Sequence, residues 1–225
     1  MINECAKLIK KIKLFYVTLQ VKKKPFGTEY DMVLLLKKIS AFFIRLWKLI
    51  IDVDAQWQQI ATEHPNRRQC LKRVILPAML MEIIAANVVI AMQGGEQRIA
   101  RMVFVTLSVM LKIIAGYFIC SFLTFKWIER IAPKTFLRDD CDKVLAYGFA
   151  VMMLIDSLVF LTGNFTLLYI LYFGIGFQYY VASKYVLPMN SNLQTLSILV
   201  LTTLTIAVPK IFHLLFKIVL PKAPL

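Results

Sequence analysis

One apolar stretch, Val144–Ser183, constrains the fold of this chain more than any other. Its 40 residues contain a single charged side chain, Asp156, and a single turn signal, Thr162-Gly163-Asn164. A bilayer core about 30 Å thick needs about 20 apolar residues for each helical crossing. The stretch therefore predicts a transmembrane hairpin of two crossings and a tight reversal, around which the other apolar segments must pack.

The composition agrees with a membrane protein and argues against a nucleic-acid partner. Of the 225 residues, 59% are hydrophobic and the mean hydropathy is +0.68, whereas apolar residues make up about half of a soluble domain. The net charge is +14, but 15 of the 27 Lys and Arg residues precede Val74. Anionic headgroups offer about 1 kcal/mol for each basic residue near the membrane surface. We therefore expect the partner of this charge to be a lipid bilayer with anionic headgroups, and no nucleic acid.

No motif for catalysis, metal binding or cofactor binding is visible. The four cysteines are scattered without CxxC spacing, and the two histidines, His64 and His213, are far apart in the chain. The pair Gly174 and Gly176 follows no strand, so it does not predict a dinucleotide loop. The sequence predicts no enzyme, no metal site, no disulfide framework and no cofactor.

Residues 1–73 form a cytoplasmic, basic and amphipathic region in our interpretation. We predict interfacial helices at about 5–20 and 31–51 and a short helix at about 53–63, although a frayed basic tail explains residues 1–24 equally well. The segment 31–51 is apolar but carries four Lys and Arg residues, each of which costs about 2.5–3.5 kcal/mol at the centre of a span. It is therefore predicted to lie in the headgroup plane. Tryptophans favour that depth, so the predicted interfacial anchors are Trp47, Trp57 and Trp127.

Residues 74–220 are predicted to form an all-α, polytopic membrane domain. Its five predicted spans are 74–93, 102–127, 144–162, 165–183 and 193–211. With five spans, 20 basic residues fall on the side of the N-terminus and 5 on the other. Since the more basic side is cytoplasmic, the N-terminus is predicted inside and the C-terminus outside. A count of four spans would instead place the C-terminus inside.

Three ionisable residues, Glu82, Lys112 and Asp156, fall inside predicted spans, where charges are expensive and are functional candidates. Glu82 lies nine residues into span one and Lys112 about eleven into span two. At a rise of about 1.5 Å per residue both reach mid-depth. We predict a Glu82–Lys112 ion pair with Asp156 as second partner or competitor. The cluster either fixes helix packing or lines a cavity for a proton, an ion or a lipid headgroup; a third alternative is no contact, with a protonated carboxyl.

Three short motifs complete the pattern: AQWQQIATE at Ala55–Glu63, LAYG at Leu145–Gly148 and LYILYFG at Leu168–Gly174. With the basic amphipathic lead-in and five predicted spans, this layout resembles the bacterial branch of the Yip1 family over about Phe43–Leu220. The sequence departs from the family at Ala150-Val151, where members often carry a proline.

The resemblance implies a non-enzymatic inner-membrane protein with a membrane-organising or scaffold role. It implies a protein partner, or a homo-oligomer through the membrane domain. Eukaryotic relatives are associated with Rab GTPases, but their aspartate-leucine-tyrosine-glycine-proline stretch is not visible here, so Rab binding is not carried over. The alternative is a small transporter or lipid-handling protein that uses Glu82, Lys112 and Asp156. A polar cavity open to one side would favour this alternative, and a dry bundle would favour the scaffold.

Overall fold

The structure is a computed structural model, which describes residues 29–95, 97–131, 138–163, 166–187 and 191–219. The chain divides into two units, Met1–Ala41 and Phe42–Leu225, and the side-chain contacts below all lie within the second. The helix predicted at about 5–20 lies outside the described residues.

Every described element is a helix, as the predicted all-α class requires. Helices α1 and α2 occupy the segments predicted as helical at 31–51 and 53–63. Helix α3 is π-helical at Leu71–Ile75 and α-helical on both sides. A short 3-10 helix precedes α6. The elements are α1 (Glu29–Ile51), α2 (Val53–Ala61), α3 (Arg67–Gln93), α4 (Arg98–Ile131), α5 (Arg138–Leu161), the 3-10 helix (Thr166–Tyr172), α6 (Phe173–Tyr185) and α7 (Ser191–Val219).

Four helices, α3, α4, α5 and α7, are long and apolar enough to cross a membrane. They cover the predicted first, second, third and fifth spans. The predicted fourth span, 165–183, is instead divided between the seven-residue 3-10 helix and the 13-residue α6, and it is not among the four. The membrane character of the chain is confirmed at this coarser level, while a fifth crossing stays a prediction.

Helix α5, the first half of the hairpin stretch, is the centre of the bundle. In its most apolar window 72% of the residues are buried, against 17% in the corresponding window of α7. The outer faces of the surrounding helices carry large exposed apolar side chains, such as Ile84 on α3, Leu107 on α4 and Leu199 on α7. An exposed apolar surface of this extent is what lipid would cover.

Hydrogen bonds near both ends show that α4 and α7 run antiparallel. Near the end of α4, Trp127 Nε1 donates to Ser197 Oγ, 3.4 Å away and close to the start of α7. Toward the start of α4, Ser108 Oγ lies 3.2 Å from Nδ1 of His213, in the last third of α7. Since α4 and α7 lie side by side in this way, their polar residues at equal depth can face one cavity.

The three predicted interfacial tryptophans lie in different surroundings. Trp47 is 63% exposed, and Trp127 is half-buried. Trp57 is fully buried and donates from Nε1 to Gln178 Oε1 at 2.8 Å, and Gln178 in turn donates to the carbonyl of Leu49 at 2.7 Å. The ring of Trp57 thus packs α2 against α6 in the protein interior, where its N–H finds a buried acceptor, and the headgroup depth of all three tryptophans stays a prediction.

A close helix contact explains the glycine of the Leu145–Gly148 motif. A Cβ at Gly148 would lie 2.1 Å from the hydroxyl oxygen of Tyr179, which is buried and bonded to Thr205 Oγ1 at 2.6 Å. We expect Gly148→Ala to lower stability by about 1–3 kcal/mol because the packed ring must move. Gly174→Ala is the control, since nothing lies within 4 Å of its Cβ position. Thermal unfolding in detergent measures both, and equal melting temperatures would contradict the contact.

Candidate functional site

The structure brings the three predicted intramembrane charges together. Lys112 on α4 lies between the two carboxylates, with its Nζ 2.5 Å from Glu82 Oε1 on α3 and 2.9 Å from Asp156 Oδ2 on α5. Tyr172 donates a hydrogen bond from its hydroxyl to Asp156 Oδ1. One ammonium therefore joins three helices, and the 3-10 helix is tied to the same cluster.

The three charged side chains of the cluster are buried to different extents. When all three are ionised, two carboxylates face one ammonium, and the cluster has an excess of one negative charge. The side chain of Glu82 is 0% exposed, whereas that of Asp156 is 16% exposed. Glu82 Oε2 is buried and accepts no hydrogen bond from the described residues. A buried carboxylate in this position costs free energy unless it gains a donor or a proton. The cluster can therefore accept a proton or a hydrogen-bond donor.

A cavity of about 520 Å³ begins at Lys112 and Asp156 and extends toward one end of the bundle. At that end its lining includes the exposed residues Gln93 and Gly163, whereas Lys210 lines it deeper, beside the ring of Tyr172. Its volume lies within the range of about 300–1,000 Å³ that is common for ligand sites. Its walls are largely apolar, and include Ala86, Val89, Ile90, Val105, Val109, Met152, Val159 and Phe160.

One face of α4 lines the cavity from its open end to its floor. Arg101, Val105, Ser108 and Lys112 all line the cavity, and their spacing of four, three and four residues places them on one face of a helix. From Arg101 to Lys112 this face is about 17 Å long at the α-helical rise. The cavity thus connects the bundle end to the charges at mid-helix.

Two further cations border the cavity, and we call Arg101 and Lys210 the basic pair. Neither forms an ion pair with any carboxylate of the described residues, and Arg101 Nε is buried without a hydrogen-bond partner there. Lys210 Nζ lies 4.4 Å and 5.2 Å from the ring centroids of Tyr172 and Tyr169. These rings hold the ammonium by cation–π contact while leaving its charge uncompensated.

Within the described ranges, no group of three or more His, Cys, Asp or Glu side chains is placed to hold a metal ion. Comparison of the chain with protein-family models, with curated proteins and with solved structures finds no match. The Yip1 resemblance therefore stays a prediction from the motifs.

A second polar cluster, at the other end of α4 and α5, was not predicted. Asp142, whose side chain is 1% exposed, lies 3.2 Å from Arg67 Nε and accepts a hydrogen bond from Ser121. Arg67 also donates to Ser121 Oγ. Nearby, Lys143 Nζ donates to the carbonyl of Glu63 at 2.9 Å. This cluster ties the segment after α2 to the bundle and borders no part of the cavity.

The sequence did contain a signal for the cavity-lining residues. The four-three-four spacing of Arg101, Val105, Ser108 and Lys112 is visible without a structure. Lys210 and Tyr172 carry no such signal, because they lie in other segments of the chain, α7 and the 3-10 helix. Their common position became apparent only when α7 and the 3-10 helix were placed beside α4 and α5.

Proposed function

We propose that this protein is a polytopic, non-enzymatic membrane protein that binds a polar ligand, a lipid headgroup or a small solute, inside its helical bundle. The single observation that carries the proposal is the cavity of about 520 Å³ whose floor is formed by Lys112 and Asp156. Of the functions predicted from the sequence, this is the transporter or lipid-handling alternative.

The contrast with a purely structural ion pair supports ligand binding. An ion pair that only fixes helix packing does not need open space beside it, and close packing normally fills such space. Here Lys112, Asp156 and Ser108 border a volume large enough for several water molecules. Although its walls are largely apolar, the polar groups at its floor can bind water or a ligand, in contrast to wholly apolar cavities, which stay empty.

The proposed topology has five crossings, with the 3-10 helix and α6 together forming the fourth. Contacts consistent with it are the hydrogen bond from Tyr172 to Asp156 on α5 and, six residues further along the same segment, the hydrogen bond from Gln178 to the carbonyl of Leu49. With 20 basic residues on one side and 5 on the other, the N-terminus is proposed to be cytoplasmic and the C-terminus outside. The cavity then opens on the non-cytoplasmic side of an inner membrane.

The Yip1-type scaffold role takes second place. Its support is the motif resemblance and the basic N-terminal region, and no contact among the described residues favours a protein partner. The two proposals are compatible, since a membrane-organising protein can act by binding lipid.

A cavity-filling substitution tests the proposed function. Val105 lines the cavity, and Val103, two residues away on the same helix, is 55% exposed on the outside. We expect Val105→Trp to displace any molecule held in the cavity, whereas Val103→Trp adds the same bulk at the outer surface. The measurement is mass spectrometry of small molecules and lipids that remain with each variant after purification in detergent.

The expected result is a species retained by the wild type and Val103→Trp and reduced about tenfold or more in Val105→Trp, equivalent to a loss of about 1.4 kcal/mol or more. Gel filtration of both variants checks that they are folded. Identical retained molecules in folded Val105→Trp and in the wild type would contradict ligand binding in the cavity.

A further inference from the structure

The basic pair, Arg101 and Lys210, gives the cavity a charge that nothing in the described chain balances. The formally charged residues of the lining are Arg101, Lys112 and Lys210 against Asp156. Lys112 is already shared by Asp156 and Glu82. The excess positive charge therefore lies with the basic pair, of which Lys210 is the deeper member and Arg101 the one nearer the open end.

We propose that the basic pair binds the phosphate group of an anionic phospholipid whose headgroup enters the cavity. This inference rests on the proposed function and names the ligand class of the same cavity. An arginine guanidinium is well suited to bind phosphate, because its planar set of donors fits two phosphate oxygens at once. Lys210 adds a second cation from the facing helix, held by the rings of Tyr169 and Tyr172.

The state of Arg101 is the observation that points most directly to a ligand. Arg101 is partly buried, and its Nε is fully buried without an acceptor among the described residues. Burying a guanidinium donor without a partner costs free energy, so such donors are normally satisfied. Since no carboxylate of the described chain supplies the acceptor, a bound anion is the partner that this donor fits.

The apolar surface beside the basic pair favours a lipid over a soluble phosphate as the source. Both segments next to the pair carry exposed apolar side chains: Leu167 (62%) and Ile170 (61%) on the 3-10 helix, and Ile211 (53%) and Leu214 (57%) on α7. A headgroup held between these segments would leave its acyl chains against this surface. Burial of acyl chains there adds hydrophobic stabilisation of about 0.8 kcal/mol per CH₂ group, which inorganic phosphate lacks.

The full-length protein, reconstituted in phosphatidylcholine nanodiscs, provides the test. The probe is a fluorescent short-chain phosphatidylglycerol, whose binding is followed by anisotropy, and a second series adds inorganic phosphate as competitor. The test variants are Arg101→Gln and Lys210→Gln, with Arg101→Lys as a variant that keeps the charge but loses the planar donor set.

The chain offers matched controls for both charges. Arg98→Gln removes an arginine from the same helical turn as Arg101, but Arg98 is exposed and does not line the cavity. Lys184→Gln removes an exposed lysine that also lies over a tyrosine ring, 4.7 Å from the centroid of Tyr180, outside the cavity. Each control changes the net charge as much as its test variant does.

We expect Arg101→Gln and Lys210→Gln each to weaken phosphatidylglycerol binding about tenfold or more, as the loss of a charge-assisted hydrogen bond does. Arg101→Lys should fall between Arg101→Gln and the wild type, and both controls should bind as the wild type does. Full competition by inorganic phosphate would support the phosphate site and identify a soluble ion as its source. Weak competition would support the lipid.

Equal affinities in the two test variants and their controls would overturn the inference. The outcome also separates this inference from the proposed function. If Val105→Trp loses the retained molecule while Arg101→Gln and Lys210→Gln bind phosphatidylglycerol normally, then the cavity binds another class of ligand, and only the phosphate assignment fails.

Discussion

Lys112→Met is expected to lower the stability of the bundle by about 3–5 kcal/mol, as the loss of one partner of a buried ion pair does. Lys112 is the only cation within 4 Å of the Glu82 and Asp156 carboxylates among the residues that the structure describes. Without it, Glu82 would remain 0% exposed with neither of its oxygens near a positive charge. The measurement is thermal unfolding of the purified protein in detergent. Gel filtration after heating gives the fraction of the protein that stays folded.

A double variant separates the ion pair from the general effect of changing a buried lysine. In Lys112→Met/Glu82→Gln the buried carboxylate is replaced by a neutral amide, so part of the lost stability should return. Lys126→Met is the matched control on the same helix, because Lys126 pairs with Glu129 at the surface, where both side chains are about half exposed. Such a pair contributes about 0–1 kcal/mol. A double variant that is no more stable than Lys112→Met would show that the pair is not the cause.

The depth of a charge within a span could be predicted from the sequence, and its surroundings could not. Counting residues from the span ends placed Glu82 and Lys112 at similar depth, and the structure sets them 2.5 Å apart. Whether open space lies beside them depends on how α7 and the 3-10 helix rotate about their axes, because these two segments supply Lys210, His213, Tyr169 and Tyr172 to the lining. Hydropathy carries no information about that rotation.

Two other features show which structural alternatives a sequence pattern cannot distinguish. The apolar face of α2 was visible, but an amphipathic pattern is the same whether lipid or protein covers the face, and here protein covers Trp57. The apolar length of 165–183 was also visible. Nothing in apolar length distinguishes a continuous α-helix from the 3-10 helix that occupies Thr166–Tyr172, since the two differ in hydrogen-bond register and not in polarity.

In the cluster around Asp142, Arg67 has two roles. It belongs to a basic sequence that predicts membrane orientation, and it makes a packing contact. Arg67 belongs to a group of four basic residues, with Arg68, Lys72 and Arg73, that predicts the cytoplasmic side. The structure gives Arg67 a second role, because its Nε lies 3.2 Å from the buried carboxylate of Asp142. Its guanidinium also covers the ring of Phe118 at 4.9 Å from the centroid. The exposed neighbour Arg68 has no such contact within the described chain.

Arg67→Met should therefore lower stability by about 2–3 kcal/mol, somewhat less than the loss of a fully buried pair, because the Arg67 side chain is 26% exposed. Arg68→Met removes the same charge from the same run, so any effect on membrane orientation is equal in the two variants. A difference in melting temperature between them measures the contact with Asp142 alone. Arg67→Met/Asp142→Asn should recover part of the loss because it removes the unpaired buried carboxylate. Equal melting temperatures of the two single variants would mean that Arg67 serves only as one more basic residue on the side predicted to be cytoplasmic.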